Sequence, residues 1–128
     1  MIETDNEFIY TLVPEIVDKN LGKDGLIAAV IFGSYAEHEW DPSGDIDMDL
    51  IFNAPLNVNH ALTVAADIKK QFANNKLTLD IRVCADRQGN GIYLHNENKQ
   101  LRYPDVGKID VKKLYYHPYV IRPNGFDL

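Results

Sequence analysis

A continuous apolar run that ends in glycine constrains this chain more than any other feature. The seven residues from Leu26 to Phe32 are all apolar, are rich in β-branched types and lie between Gly25 and Gly33. Such a run is typical of a strand that is buried on both faces of a sheet. The chain therefore passes from a core strand directly into Gly33-Ser34, where backbone amides and a hydroxyl can approach a phosphate closely.

Carboxylates alternate with apolar side chains in the next segment. In an extended strand, Asp45, Asp47 and Asp49 project to one face and the intervening apolar residues to the other. Successive carboxylates, about 7 Å apart, repel one another unless they are solvated or bridged by a cation. Hard oxygen ligands suit Mg²⁺, Mn²⁺ or Ca²⁺, and Mg²⁺ is usually held by one or two carboxylates plus substrate phosphates. We expect Asp49 to be solvated or to support the ligands rather than to bind metal itself.

The same segment begins like the calcium-binding loop of an EF-hand. That loop needs glycine at its sixth position and a bidentate glutamate at its twelfth. This chain has Leu50 and Leu56 at those positions. The EF-hand is therefore disfavoured.

A third candidate acid lies further along the chain, in the segment from Leu77 to Val83. Apolar and polar residues alternate there, which predicts a half-buried strand with Asp80 and Arg82 on its polar face. Asp80 is thus a candidate partner of the Asp45 and Asp47 pair. Arg82 is expected to be a solvated surface charge, and the alternative is that it compensates the negative charge near the site.

These segments together resemble the signature of the minimal nucleotidyltransferases of the DNA polymerase β superfamily. The match consists of Phe32-Gly33-Ser34-Tyr35-Ala36, an interval that ends at Gly44, and Asp45-Ile46-Asp47-Met48. The resemblance implies an α/β (α+β) fold in which helices pack on a short mixed β-sheet. It also implies that Gly33 and Ser34 bind the nucleotide, that Asp45, Asp47 and Asp80 bind Mg²⁺ or Mn²⁺, and that Asp80 accepts the proton of the attacking hydroxyl.

The activity implied by the resemblance is transfer of a nucleoside monophosphate, with AMP from ATP favoured, onto a hydroxyl of a protein or small molecule. Stand-alone members of this size resemble the enzyme halves of bacterial toxin–antitoxin pairs, in which a partner protein is modified. One alternative is a catalytically inactive descendant that binds nucleotides or partners, because Glu37, Glu39 and Asp41 place negative charge near the phosphate turn. An aminoglycoside-type antibiotic modifier is disfavoured, since no added helical substrate domain is visible.

Composition and charge limit the number of domains, the possible binding partners and the expected localisation. The 128 residues, 45% of them apolar, predict one domain over 1–128, with a core at about 4–86 and a C-terminal hairpin and aromatic tail at about 87–128. A net charge of −6 argues against direct nucleic-acid binding and hence against a template-directed polymerase. No signal peptide or transmembrane run is visible, which predicts a cytoplasmic protein without membrane contact. The oligomeric state stays open.

Local patterns predict the other elements. A capping-box pattern from Thr4 to Glu7 precedes an amphipathic helix that Pro14 should kink or divide. A second helix should begin after Asn57 and end near Asn74-Asn75. A hairpin should pair residues 92–95 with 100–103, and a short helix should lie around 110–116. The single cysteine, Cys84, is expected to be a reduced core residue.

Overall fold

The computed structural model describes residues 2–41, 43–97, 100–102, 106–114 and 119–121. Its helices are α1 (Ile2–Asn20), α2 (Gly33–Ala36), α3 (Val58–Asn74) and α4 (Val111–Leu114), and a 3-10 turn spans Lys23–Gly25. Its strands are β1 (Leu26–Phe32), β2 (Ile46–Phe52), β3 (Leu79–Asp86), β4 (Asn90–Tyr93), β5 (His95–Glu97), β6 (Gln100–Arg102), β7 (Val106–Lys108) and β8 (Tyr119–Ile121).

Six of these strands form one mixed sheet in the order β7-β4-β3-β2-β1-β8. Strands β2 and β3 are parallel, because α3 crosses over between them, while the other neighbours are antiparallel. This arrangement confirms the predicted α/β (α+β) class with a short mixed sheet. Within the described part of the chain, no helix is long and apolar enough to span a membrane.

The sheet is buried on both faces, as the apolar run in β1 predicts. One face packs against α1 and α3, whose buried side chains include Val17, Ile68 and Phe72. The other face packs against the segment that leads into α4, through Ile109, Val111 and Leu114. The first face carries the larger core, and the second face leaves room for polar groups.

Helix α1 differs from its prediction. It begins at Ile2, so the capping-box pattern from Thr4 to Glu7 lies inside the helix rather than at its start. The helix also continues through Pro14, and the predicted division there is wrong. Burial of the apolar stripe around Pro14 offsets the one backbone hydrogen bond that proline removes. Helix α3 confirms its prediction, with Asn57 as the N-cap that accepts a 3.0 Å bond from the His60 amide.

Strand β3 contains a bulge that the alternating pattern did not predict. The register with β2 shifts between Met48 and Asp49, leaving Arg82 as an extra residue. Val83 consequently joins the cluster on the α4 face, and Cys84 joins the core under α1 and α3. The prediction for Cys84 is confirmed, since it is a free, buried thiol whose pKa is raised by burial and, secondarily, by Asp49.

The C-terminal third contributes strands to the same sheet. Strand β4 pairs with β3, β7 pairs with β4, and β8 covers the outer edge of β1. The predicted hairpin is only partly right: residues 95–97 of β5 pair with β6 in a separate two-stranded unit, whereas Ile92 and Tyr93 belong to β4 and pair with β3. Much of the predicted aromatic tail, including 115–118 and 126, lies outside the described residues, and the domain boundaries stay a prediction.

A buried carboxylate ties three segments together at the end of β3. Asp86 is fully buried and accepts hydrogen bonds from the amides of Leu56, Gln88 and Asn90 at 2.8, 2.9 and 3.0 Å. It accepts a further bond of 3.2 Å from the Asn90 side chain. One side chain therefore joins the approach to α3 with the β3–β4 turn.

We expect Asp86→Ala to lower the free energy of unfolding by about 3 kcal/mol, because the substitution leaves several inward-facing amides without an acceptor. Urea unfolding followed by circular dichroism measures this change. Asp18→Ala, at an exposed position of α1, is the matched control and should change stability by less than about 0.5 kcal/mol. Equal effects of the two substitutions would contradict this role of Asp86.

Candidate active site

The turn that follows β1 brings the backbone against a carboxylate. Gly33 has φ +76°, a conformation that other residues rarely adopt, and a Cβ atom there would collide with Asp47. Ser34 follows in the short helix α2, and its carbonyl accepts a 2.8 Å hydrogen bond from the Glu39 amide. The structure thus places the Gly33 backbone against Asp47, with Ser34 as the next residue along the chain.

Aromatic packing fixes the interval between this turn and β2. The Tyr35 ring is fully buried and stacks on Tyr10 of α1, with ring centroids 4.3 Å apart. Its hydroxyl donates to the carbonyl of Ile9 at 3.4 Å. Trp40 meets Tyr35 edge-on, and its indole N–H donates to the Gly44 carbonyl at 3.1 Å. The interval is therefore anchored to α1 and closed immediately before Asp45.

The acidic residues of this interval have different roles. Asp41 shapes the turn, since its Oδ1 accepts from the Ser43 hydroxyl at 2.6 Å and from the Ser43 amide at 2.8 Å. These two bonds hold the pKa of Asp41 below its usual range. Glu37 and Glu39 are exposed to solvent. Asp41 therefore stabilises the turn, whereas Glu37 and Glu39 add negative charge to the surface.

Parallel pairing of β2 with β3 brings two predicted acids together. Asp47 is the direct register partner of Asp80, so their α-carbons lie on neighbouring strands about 5 Å apart. Both side chains are partly buried, whereas Asp45 is exposed and lies immediately before β2. Partial burial raises the pKa of Asp47, and the charges of Asp80 and Asp45 raise it further. The three candidate acids therefore share one electrostatic environment.

This donor set is chemically suited to a hard divalent cation. In the described segments, no three His, Cys, Asp or Glu side chains converge into a ready-made metal cage. Mg²⁺ does not require one, because it is usually held by one or two carboxylates together with substrate phosphates and water. Burial raises the pKa of Asp47 beside the glycine turn, and the negative charges of Asp80 and Asp45 raise it further. A cation at Asp45, Asp47 and Asp80 would relieve that charge, so the residues fit the metal.

A buried ion pair lies behind these acids. Asp49 is completely buried, and its two oxygens accept bonds of 2.6 Å from Nη2 and 3.2 Å from Nε of Arg82. The guanidinium also lies 4.2 Å from the centre of the Phe32 ring and keeps 42% of its side chain exposed. Of the two roles expected for Asp49, solvation is therefore wrong, and support of the ligands stays a prediction. Arg82 is likewise an ion-pair partner rather than a free surface charge.

Sequence reasoning missed this pair because it treated β2 and β3 separately. Each strand alone shows a charged residue on a polar face, for which solvation is the default. The available signal was the complementary charge of Asp49 and Arg82 on consecutive strands of a parallel unit. The bulge at Arg82, which aligns the two side chains, has no signature in the amino-acid pattern.

We expect Arg82→Met to lower the free energy of unfolding by about 3 kcal/mol, because Asp49 would remain buried without its counter-charge. Chemical denaturation of the metal-free protein measures the loss. The double variant Asp49→Asn/Arg82→Met serves as the control and should recover at least half of it. A double variant that is less stable than Arg82→Met would show that the charge pair is not the cause.

We expect Asp47→Asn to stabilise the metal-free protein at neutral pH by less than about 1 kcal/mol, because it removes a partly buried charge and then the repulsion of that charge with Asp80 and Asp45. The sign follows from the raised pKa: an ionised Asp47 opposes folding, and this penalty disappears as the pH falls through that pKa. Thermal unfolding at low salt measures the change. Asp18→Asn should have no such effect, and a destabilised Asp47→Asn protein would contradict the repulsion.

Comparison with known proteins identifies the family of this chain. Residues 15–101, more than half of the chain, match the sequence model of the polymerase β nucleotidyltransferase family. The crystal structure of a candidate nucleotidyltransferase from Sulfolobus solfataricus is similar at 18% identity and a TM-score of 0.47, covering 84% of this chain and 86% of that one. Among curated proteins, none matches significantly. On the family match, this chain belongs to the polymerase β nucleotidyltransferase family and is a minimal nucleotidyltransferase domain with that fold.

Proposed function

We propose that this protein is a metal-dependent nucleotidyltransferase that moves AMP from ATP onto a hydroxyl of a protein or small molecule. The observation that carries the proposal is the direct pairing of Asp47 with Asp80 on parallel strands, with the Gly33 backbone against Asp47. Nucleotidyl transfer requires carboxylates that hold a metal on one side of the reacting phosphate. It also requires accessible backbone amides on the other side.

Each group has a defined task in this proposal. Asp45 and Asp47 hold Mg²⁺ or Mn²⁺, and Asp80 completes the ligand set. A metal bound there would neutralise negative charge on the triphosphate. Gly33 and Ser34 receive the outer phosphates through their amides and the Ser34 hydroxyl. Because Tyr35 and Trp40 anchor the interval, the turn and Asp45 keep a fixed separation.

The proposed reaction is an in-line displacement at the α-phosphorus. The acceptor oxygen forms a bond to that phosphorus while the bond to the bridging oxygen breaks, and pyrophosphate leaves. The proton of the acceptor hydroxyl passes to Asp80. Asp80 is the direct register partner of Asp47 and is only partly buried, so it lies beside the proposed metal ligands and can be reached by the acceptor hydroxyl.

A second candidate is a catalytically inactive member that binds nucleotides or a partner. The observation that favours it is the exposed Glu37 at the end of α2, where negative charge opposes a triphosphate. The two candidates differ in whether nucleotide binding depends on metal and on the paired acids. A toxin–antitoxin setting, in which the acceptor is a partner protein, belongs to the first candidate.

We expect ATP to bind in the presence of Mg²⁺. Asp45→Ala or Asp47→Ala should weaken this binding by at least about tenfold, because loss of a residue that only orients a metal-binding side chain already weakens metal affinity about tenfold or more. Isothermal titration calorimetry with and without Mg²⁺ measures the affinities. Asp18→Ala, remote from the turn, is the matched control and should bind as the wild type does.

Incubation of the protein with labelled ATP and cell lysate then tests whether a protein or small molecule receives the nucleotide. Metal-independent binding, or binding indifferent to both substitutions, would overturn the proposal. Metal-dependent binding combined with no labelled acceptor would favour the inactive member. Parallel titrations with GTP, CTP and UTP test the choice of adenine.

A further inference from the structure

The three parts of the candidate site lie on three neighbouring strands, close to the ends of those strands. Strand β1 ends at Phe32, immediately before Gly33, and Phe32 is the register partner of Asp47 on β2. Asp47 is in turn the register partner of Asp80, the second residue of β3. Backbone pairing opens most easily at the ends of elements. The separation of the turn and the two acids therefore needs support beyond the backbone ladder.

A bulge interrupts the ladder beside the acids. The register of β2 with β3 shifts between Met48 and Asp49, directly after the pair of Met48 with Ile81. A bulge disrupts the backbone hydrogen bonds locally and bends the strand that contains it. The backbone ladder that joins the strands of the two paired acids is thus broken close to both of them.

The Arg82 side chain spans this interruption. It reaches from β3 to β2, where Nη2 and Nε donate to the two oxygens of the buried Asp49 at 2.6 and 3.2 Å. It also reaches β1, where its guanidinium carbon lies 4.2 Å from the centre of the Phe32 ring. A bidentate pair and a planar cation on an aromatic ring fix orientation as well as distance. One side chain therefore joins the three strands that carry the site.

Each member of this contact lies within two residues of one part of the site. Arg82 is two residues beyond Asp80, and Asp49 is two residues beyond Asp47. The third member, Phe32, directly precedes the glycine turn. Mg²⁺ demands near-ideal octahedral geometry, and the like charges of the acids push them apart while no cation is bound. A contact that holds these strands together would therefore favour metal binding.

We infer that Arg82 is a positioning residue, which holds Asp47, Asp80 and the glycine turn in the geometry that receives a divalent cation. The inference rests on the proposed function and deepens it, because it adds a residue that acts on the metal site through other side chains. The pair of Arg82 with Asp49 carries no net charge, so its contribution to a cation site comes from geometry rather than from attraction.

Binding of Mn²⁺ to the metal-free protein tests this inference. The paramagnetic ion broadens nearby amide signals in the ¹⁵N spectrum, so a titration gives both an apparent Kd and the set of amides around the ion. In the wild type, we expect the amides of Gly33, Asp47 and Asp80 to broaden together. This measurement needs neither nucleotide nor turnover.

Two variants remove the contact while keeping the net charge of the pair. Arg82→Lys keeps the cation but loses the planar, bidentate contact, and Asp49→Asn/Arg82→Met removes both charges. Each should raise the Kd for Mn²⁺ about tenfold, as loss of groups that support metal ligands typically does. The double variant is the sharper case, because it should regain stability relative to Arg82→Met without regaining Mn²⁺ affinity. An unchanged Kd in both variants would overturn the inference.

Asp86→Ala is the matched control for general loosening of the fold. It is expected to lose as much stability as Arg82→Met, but it lies at the opposite end of β3 from Asp80. It should bind Mn²⁺ as the wild type does. Each titration uses conditions in which circular dichroism shows the variant to be folded. Weakening by Asp86→Ala equal to that by Arg82→Lys would overturn the positioning role.

The outcomes separate this inference from the proposed function. If Mn²⁺ broadens no amide of the turn or of the paired acids in the wild type, the metal site is refuted and the inference falls with it. If the wild type binds Mn²⁺ and both charge-conserving variants bind it equally well, the site stands and the inference is refuted. If the Kd depends on Arg82 but labelled ATP yields no labelled acceptor, the positioning role stands and the transferase is refuted.

Discussion

The parallel pairing of β2 with β3 is the constraint on which the rest of this structure depends. Parallel neighbours need a crossover, and α3 provides it while burying its apolar stripe under the sheet. The same pairing places Asp47 beside Asp80, a juxtaposition that antiparallel or separated strands would not give. This concentration of negative charge lowers the stability of the fold, and burial of apolar side chains on both faces of the sheet offsets the loss.

Charge compensation divides the acidic face into two zones. At the inner end, Asp49 is matched by Arg82 in a buried bidentate pair, and this carboxylate is saturated by the protein itself. At the outer end, Asp45, Asp47 and Asp80 influence one another, while Arg82 offsets only part of their charge. The protein therefore neutralises Asp49 within the sheet and leaves less compensation for the three outer acids, which we propose bind the metal. This contrast distinguishes a ligand site from a structural network.

Sequence patterns predicted the elements that carry strong periodicity. The apolar run of β1, the acidic strand β2, the helix α3 and the strand bearing Asp80 all follow from local residue types, whereas the mixed sheet was implied by the family resemblance. Features that depend on contacts between distant segments could not be predicted in this way. The bulge at Arg82, the burial of Asp49 and the anchoring of Tyr35 on Tyr10 each arise from packing against another element. Helix α1 shows the same limit, since tertiary burial carries it through Pro14.

The bulge in β3 interrupts the alternation of side chains between the two faces of the sheet. Before the bulge, Ile81 faces the core under α1 and α3, and Asp80 faces the other side. After it, Val83 faces the α4 side and Cys84 faces the core under α1 and α3. Arg82 and Val83 therefore stand side by side on one surface, where the charged side chain borders the buried cluster on the α4 face. Deletion of Arg82 would make the pairs that flank the bulge, Met48 with Ile81 and Asp49 with Val83, consecutive, so both halves of β3 would keep their faces. The bulge thus adds a counter-charge for Asp49 to the strand without changing which residues face the core.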